Sequence, residues 1–145
     1  MAGNFEGIKK RNFGIEIEMT GLTRNQAAKA VAKAVNGKVE HEGGYYDKYV
    51  VTDSKDRKWA FVYDGSINCY NANGDHASKS YSVELNSPVL EYEDIPLLQE
   101  VVRSLRKAGG VTGPRYCAGT HIHISADDYT PVSYTHLTLP TTERV

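Results

Sequence analysis

The sequence predicts an α+β fold in which two helices cover a largely antiparallel sheet. Apolar and polar residues alternate in several short segments, which is the period of a β-strand. Two other segments carry apolar residues at helical spacing, and the gaps between successive strands are mostly of hairpin length. The order strand, helix, strands, helix, strand is typical of an α+β domain, and we find no internal repeat or linker that would divide the chain.

The first strand is predicted over residues 12–20, where apolar side chains share one face while Glu16 and Glu18 lie on the other. A helix should follow as far as residue 35. Its start is indicated by a Thr-x-x-Gln capping box that begins at Thr23, and its end by an Asn-Gly pair directly after the Ala-rich segment.

The middle of the chain predicts a meander of strands. Residues 38–63 are rich in Tyr and Val and are broken by a Gly-Gly pair and by a polar run, so we expect two or three strands joined by hairpins, the last over 59–63. A polar loop over 71–80 then leads into a strand over 81–86, which a Ser-Pro pair ends.

The second helix is predicted over residues 94–108. Asp94 is the expected N-cap, a Gly-Gly pair is the stop, and the apolar stripe between them should cover the sheet. The last alternating segment, 120–125, predicts a strand that carries His121 and His123 on one face.

The composition narrows the class of protein. Among 145 residues, 17 Lys and Arg stand against 18 Asp and Glu, which gives a net charge of −1. Phosphate contacts need clustered Lys and Arg, so the absence of a basic stripe argues against nucleic-acid binding. No apolar run approaches the roughly 18 residues of a membrane-spanning helix, and the N-terminus has no apolar signal-peptide core. We therefore expect a cytoplasmic protein without a membrane partner.

Three of the predicted strands carry chemistry-bearing residues on the face away from their aliphatic side chains. These residues are Glu16, Glu18, Glu84, His121 and His123. Taken strand by strand, each pattern is more commonly that of an amphipathic strand with a solvated polar face. If the three strands are neighbours, however, one face of the sheet holds all of these carboxylates and imidazoles.

Carboxylates that lie so close together repel one another unless a cation lies among them. The majority of oxygen donors favours Mg²⁺ or Mn²⁺, and the two histidines leave a Zn²⁺ site of the hydrolase type open. A non-catalytic module that binds one divalent ion also remains open. The sequence contains no HExxH, GxSxG, Walker or GxGxxG motif, so it gives no support to a metalloprotease zinc site, an esterase nucleophile turn or a glycine-rich nucleotide-binding loop.

A further acidic residue, Asp64, follows the strand predicted over 59–63, in an Asp-Gly-Ser turn. It is a candidate catalytic residue, and an Asx-type turn residue is the alternative interpretation.

Four short motifs occur in a fixed order: FGIEIE at 13–18, DGS at 64–66, ELNSP at 84–88 and GTHIH at 119–123. This ordered set resembles the amidoligase family of the carboxylate-amine ligase superfamily, which includes glutamine synthetase and gamma-glutamylcysteine synthetase. The resemblance implies part of a glutamine-synthetase-like catalytic domain. It also implies that ATP, as co-substrate, activates a small-molecule or peptide carboxylate as an acyl phosphate, which an amine then attacks to form an amide.

Carried over by position, the resemblance also implies roles for the candidate residues. Five of them would bind Mg²⁺ or Mn²⁺, namely Glu16, Glu18, Glu84, His121 and His123, and Asp64 would be catalytic. Metal ions in such a site would neutralise phosphate charge and align the acceptor carboxylate.

The end of the chain suggests a different origin for its last residues. The run VSYTHLTLPT from Val132 matches the translation of a common sequencing adaptor, although its alternating residues would also fit a genuine strand. We expect residues 1–131 to be the N-terminal portion of an amidoligase-like domain and residues 132–145 to be no part of it. Because the family places further strands and basic phosphate-binding residues after this point, we expect the present chain to lack ligase activity.

Overall fold

The computed structural model describes residues 9–126. The expected adaptor-derived segment, 132–145, and the expected domain boundary at residue 131 lie outside the described residues.

Residues 9–126 form a six-stranded sheet and two longer helices. The strands are β1 (Phe13–Met19), β2 (Lys38–Gly43), β3 (Lys48–Thr52), β4 (Lys58–Val62), β5 (Val83–Asn86) and β6 (Thr120–Ile124), and the helices are α1 (Arg24–Val35) and α2 (Ile95–Lys107). The strand order is β2-β3-β4-β5-β1-β6, and every neighbouring pair is antiparallel. The predicted α+β class is confirmed.

Both helices pack on one face of the sheet and form the hydrophobic core with it. Met19 of β1, Trp59 and Phe61 of β4, and Leu85 of β5 are at most 1% exposed, and they point toward the helices. Side chains alternate across a strand, so the polar residues between these positions lie on the opposite face. That face, free of α1 and α2, carries the candidate site.

The start of α1 forms as the capping box predicts. The Thr23 hydroxyl accepts a hydrogen bond from the Gln26 amide (3.2 Å), and the Gln26 side chain accepts one from the Thr23 amide (2.9 Å). Asn36 ends the helix in the left-handed conformation, with φ of 54°.

The start of α2 differs from the prediction. Asp94 occupies the N-cap position, but its side chain makes no capping hydrogen bond to α2. Its carboxylate instead accepts hydrogen bonds from the Glu91 amide (2.8 Å) and from Arg57 (2.8 Å), so it closes a short 3-10 turn over Tyr92–Asp94 and anchors that turn to the sheet.

One strand prediction also needs correction. Tyr81 belongs to a 3-10 turn over Lys79–Tyr81, and β5 begins only at Val83, because the backbone of the preceding residues turns back on itself. Ile122 and Ile124 of β6 lie on the helix side of the sheet but are 62% and 60% exposed, because β6 is an edge strand that α1 and α2 do not cover. Among the described residues, no helix has both the length and the apolar character needed to cross a membrane.

Candidate metal centre

The strands that carry the acidic and histidine residues are neighbours in the sheet. β1 lies between β5 and β6, and the register sets Glu18 directly opposite Glu84 and Glu16 directly opposite His121. The two glutamates of β1 therefore face different partners. Like charges directly opposite each other on a sheet destabilise the pairing, so the Glu18–Glu84 pair costs the fold free energy when both are ionised.

Three carboxylates converge at one place on this face. Glu18, Asp64 and Glu84 each offer an oxygen atom, and these atoms all lie within 4.8 Å of one another. All three residues are half-buried. We call this group the carboxylate cluster.

Asp64 reaches the carboxylate cluster because Ser82 holds its backbone. The Asp64 amide donates to the Ser82 hydroxyl (2.9 Å), and that hydroxyl donates to the Asp64 carbonyl (2.6 Å), with Ser82 fully buried. The Asp64 carboxylate also accepts hydrogen bonds from the amide (2.9 Å) and the hydroxyl (2.8 Å) of Ser66. Asp64 is thus the Asx-type turn residue of the alternative interpretation, and the same turn aims its carboxylate at the two glutamates.

The two glutamates are also held in place. Gly119, just before β6, donates its amide to Glu18 Oε1 (2.9 Å), while its carbonyl accepts from the Glu18 amide (2.9 Å). The Asn86 side chain donates to Glu84 Oε1 (3.1 Å). Each carboxylate keeps further lone pairs that these bonds do not use, so each can still bind a cation.

The pKa values of the two glutamates in the cluster are raised by burial and by the neighbouring acid. Burial raises the pKa of Glu18 above its ordinary value; the hydrogen bond from Gly119 opposes this shift, and the neighbouring Asp64 adds to it. Burial likewise raises the pKa of Glu84, against the hydrogen bond from Asn86 and with a further rise due to Asp64.

Asp64 is shifted in the opposite direction. Burial alone would raise the pKa of Asp64, but hydrogen bonds from Ser66, followed by those from Glu18 and Glu84, outweigh it and hold the pKa below its ordinary range. The most stable arrangement without a cation therefore leaves Asp64 ionised and the glutamates harder to ionise.

The histidines and Glu16 lie beside the carboxylate cluster and form a separate group. His123 Nε2 is hydrogen bonded to Glu16 Oε2, and the His123 side chain is 67% exposed. His121 is also exposed, and its charge acts to lower the pKa of Glu18. Within residues 9–126, the histidine nitrogens do not belong to the three-carboxylate group that could hold an ion.

The donor set of the carboxylate cluster fits a hard divalent cation. Mg²⁺ binds oxygen at about 2.1 Å, so oxygens on opposite sides of the ion are about 4.2 Å apart, and the corresponding separation around Ca²⁺ is about 4.8 Å. The oxygens of the cluster lie within 4.8 Å of one another, a spacing on the scale of both ions. Carboxylate oxygens alone suit Mg²⁺, Mn²⁺ or Ca²⁺ better than Zn²⁺.

Sequence reasoning missed the supporting residues rather than the acidic ones. Asn86 lies two residues after Glu84 in β5, so the strand period alone would have placed it on the same face. Ser82 carries no such signal, because it precedes the strand and acts through the backbone of a residue in another part of the chain.

Comparison with known proteins bears on the identity of the chain. A family model described as "Putative amidoligase enzyme" matches residues 9–138, a range that contains all four motifs and the carboxylate cluster. No curated protein and no solved structure matches the chain. Because the family match spans nearly the whole sequence, the protein belongs to the amidoligase family, a family of ligase-type enzymes.

Proposed function

We propose that the protein is an ATP-dependent carboxylate-amine ligase whose carboxylate cluster binds Mg²⁺ or Mn²⁺. In this reaction the γ-phosphate of ATP is transferred to a substrate carboxylate to give an acyl phosphate, and an amine displaces the phosphate to form an amide. The observation that carries the proposal is the convergence of three half-buried carboxylates, from three separate parts of the chain, in a member of the amidoligase family.

In the proposed mechanism, Glu18, Asp64 and Glu84 would hold the ion. When bound, it would neutralise phosphate charge during phosphoryl transfer. The protein's own contribution is rigidity: Gly119 orients Glu18, Asn86 orients Glu84, and hydrogen bonds fix Asp64 from both its backbone and its side chain. Oxygens fixed in this way lose little freedom on binding, so the site is preorganised.

Glu16, His121 and His123 are proposed as a second set of ligands beside the cluster. Glu16 and His123 are already in contact, and the register brings His121 opposite Glu16. A second ion would therefore bind at Glu16, two residues along β1 from Glu18 on the same face of the sheet. Two ions close together are a common arrangement in phosphoryl transfer.

A Zn²⁺ hydrolase is the alternative that the arrangement supports less well. Zn²⁺ in catalytic sites usually takes histidine nitrogens together with a carboxylate. Here the tight group consists of oxygens, and the exposed imidazoles lie beside it.

The first experiment measures Mn²⁺ binding by electron paramagnetic resonance, in the full chain and in the Glu18→Gln variant. Glutamine keeps the size of the side chain and an oxygen that can accept the Gly119 hydrogen bond, but it removes one charge from the cluster. We expect Glu18→Gln to weaken Mn²⁺ binding at least tenfold, because replacing even a residue that only orients a metal ligand costs about 10- to 100-fold in affinity. Glu40→Gln, at an exposed position of β2, is the matched control and should bind Mn²⁺ as the wild type does.

The second experiment tests the reaction itself, with hydroxylamine as the amine and a panel of carboxylates. ADP and hydroxamate that form only with both Mg²⁺ and ATP would support the ligase. Normal Mn²⁺ binding without ADP release would agree with the expected lack of ligase activity in the present chain and would favour a non-catalytic metal-binding module for it. Turnover in the absence of nucleotide would favour the hydrolase.

A further inference from the structure

A cavity of about 660 Å³ adjoins the carboxylate cluster. Asp64 and Glu84 line it, and so do three tyrosines, Tyr45, Tyr46 and Tyr63. Two members of the cluster therefore face the same space as a group of aromatic rings. A ligand in this cavity would lie next to the bound ion and against those rings.

The tyrosines come from two segments that are joined to each other. Tyr45 and Tyr46 form the turn between β2 and β3, and Tyr63 follows β4. The Tyr63 amide donates a hydrogen bond to the Tyr46 carbonyl (3.0 Å), which fixes the turn against the end of β4. The rings of Tyr45 and Tyr46 meet edge to face, with centroids 5.0 Å apart.

The turn is braced from the helix layer as well. Arg24 of α1 donates to the Asp47 carboxylate at 2.9 Å, and His41 contacts the other oxygen of that carboxylate at 2.6 Å. Arg24 is only 6% exposed and also donates to the carbonyls of Lys79 (3.0 Å) and Ser82 (2.6 Å). The cavity wall is thus built into the fold, although the rings that it presents are open: Tyr45 is 87% exposed and Tyr46 is 56% exposed.

The chemistry of the lining favours a cation. Among the described residues that line the cavity, the charged side chains are the carboxylates of Asp64 and Glu84. One divalent ion would leave a net charge of −1 on the three ionised carboxylates of the cluster. The second ion proposed above would lie at Glu16 and the histidines, which do not line the cavity. Tyrosine rings attract ammonium groups within about 6 Å of their centroids. Arg24 and Lys79 already place their cationic groups 5.8 Å and 5.9 Å from the centroid of the Tyr63 ring, so the open rings of Tyr45 and Tyr46 are the ones left for a ligand.

We propose that this cavity binds the amine substrate in its ammonium form, with the rings of Tyr45 and Tyr46 against the ammonium group and the substrate's apolar body. Before the nitrogen attacks the acyl phosphate, the ammonium must give up a proton to water or to a carboxylate of the lining. This inference rests on the proposed function, because it assigns one of the two substrates of the ligase to a site. A carboxylate substrate fits the cavity less well, since it would meet two like charges. Tyr45 and Tyr46 are then specificity-determining residues that select amines carrying a ring or a hydrocarbon body.

The test is a calorimetric titration of the full chain, in the presence of Mg²⁺, with benzylamine and with benzyl alcohol. The two probes share a ring and differ in charge. We expect benzylamine to bind and benzyl alcohol to bind at least tenfold more weakly. Tyr45→Ala and Tyr46→Ala should each weaken benzylamine binding about fivefold, as the loss of one exposed cation–π contact predicts. Tyr45→Phe keeps the ring and should bind as the wild type does.

Tyr92→Ala is the control, because Tyr92 is an exposed tyrosine that lines a different cavity. Equal affinity for the two probes, or equal affinity in Tyr45→Ala and the wild type, would overturn the inference. Mn²⁺ binding measured on the same samples separates this inference from the proposed function. If the chain binds Mn²⁺ but not benzylamine, the amine site is refuted and the proposed metal site stands. If the chain binds benzylamine through the tyrosines but does not bind Mn²⁺, the cavity is a binding site and the ligase proposal is refuted.

Discussion

Replacing Glu18 by Gln should stabilise the chain when no divalent ion is bound, and Mg²⁺ should remove most of this advantage. At neutral pH the carboxylate cluster is a source of repulsion in the folded chain, and Glu18 takes part in two of its three pairs. Two unit charges 4.8 Å apart repel by about 0.9 kcal/mol in a water-like dielectric and by about 3.5 kcal/mol at an effective dielectric constant of about 20.

The three residues are half-buried, and partial protonation relieves the repulsion, so the lower end of that range applies. We expect Glu18→Gln to raise the free energy of unfolding by about 1 to 2 kcal/mol in the absence of divalent ions. Mg²⁺ at about 100 times its dissociation constant should stabilise the wild type by about 2.7 kcal/mol, and a variant that binds tenfold more weakly should gain only about 1.4 kcal/mol at the same concentration. Mg²⁺ should therefore remove most of the stability advantage that the variant has in chelator.

The pH dependence of the metal-free protein follows from the sign of the shift. Burial, with a further contribution from Asp64, raises the pKa of Glu18 in the folded state, so the folded chain binds this proton more tightly than the unfolded chain. The stability linked to Glu18 is therefore complete below the ordinary glutamate pKa and is lost as the pH rises through the shifted value. The advantage of Glu18→Gln should consequently shrink on acidification.

The assay is urea unfolding followed by circular dichroism, with chelator or with Mg²⁺, at neutral and acidic pH. Glu40→Gln in β2 is again the control, since it removes an exposed charge of the same type from the same sheet. A Glu18→Gln variant that is less stable than the wild type in chelator at neutral pH would refute the reasoning, as would equal stabilisation of the two proteins by Mg²⁺.

Two further predictions concern the fold. Asp53 is 7% exposed and accepts hydrogen bonds from Trp59 (3.0 Å) and Arg57 (3.0 Å), so Asp53→Asn should cost about 2 kcal/mol in urea unfolding at neutral pH. Burial opposes ionisation of Asp53, but its hydrogen bonds and the charge of Arg57 hold its pKa below the ordinary value. The stability that Asp53 contributes is therefore present above its pKa in the unfolded chain and is lost as the pH falls through its pKa in the folded chain. Wild type and variant should consequently have similar stabilities in acid. Gly21 has φ of +89°, and a Cβ there would lie 2.3 Å from a backbone carbonyl oxygen, so Gly21→Ala should lower the thermal midpoint by several degrees. Gly74 has a similar φ of +83° but open space around it, so Gly74→Ala should cost only about 1 kcal/mol of unfolding free energy. Equal losses of stability in the two variants would show that the close approach at Gly21 does not matter.

The face of the sheet that carries the acids was predictable because a strand has period two. Glu16, Glu18 and Glu84 each lie between aliphatic neighbours, and burial of those neighbours determines where the glutamates point. The capping box at Thr23 was predictable for a similar reason, since its bonding pattern is local.

The membership of the carboxylate cluster was not predictable from such patterns. Asp64 follows the end of a strand, where alternation no longer determines direction, and its position depends on Ser82, a residue 18 positions away. The place of His121 depends on the register between β1 and β6, which sets it opposite Glu16 rather than Glu18. Register and loop hydrogen bonds are properties of the folded chain, so the sequence indicated the right group of residues without the subset that converges.

The buried guanidinium of Arg24 also determines how the cavity can change shape. It links α1 to the turn that carries Tyr45 and Tyr46, so the base of that turn and the helix behave as one rigid body. The Tyr46 carbonyl is held by the Tyr63 amide as well, so the turn is fixed from two sides. A ligand would therefore reach the carboxylates past the open ring of Tyr45 without displacing the turn.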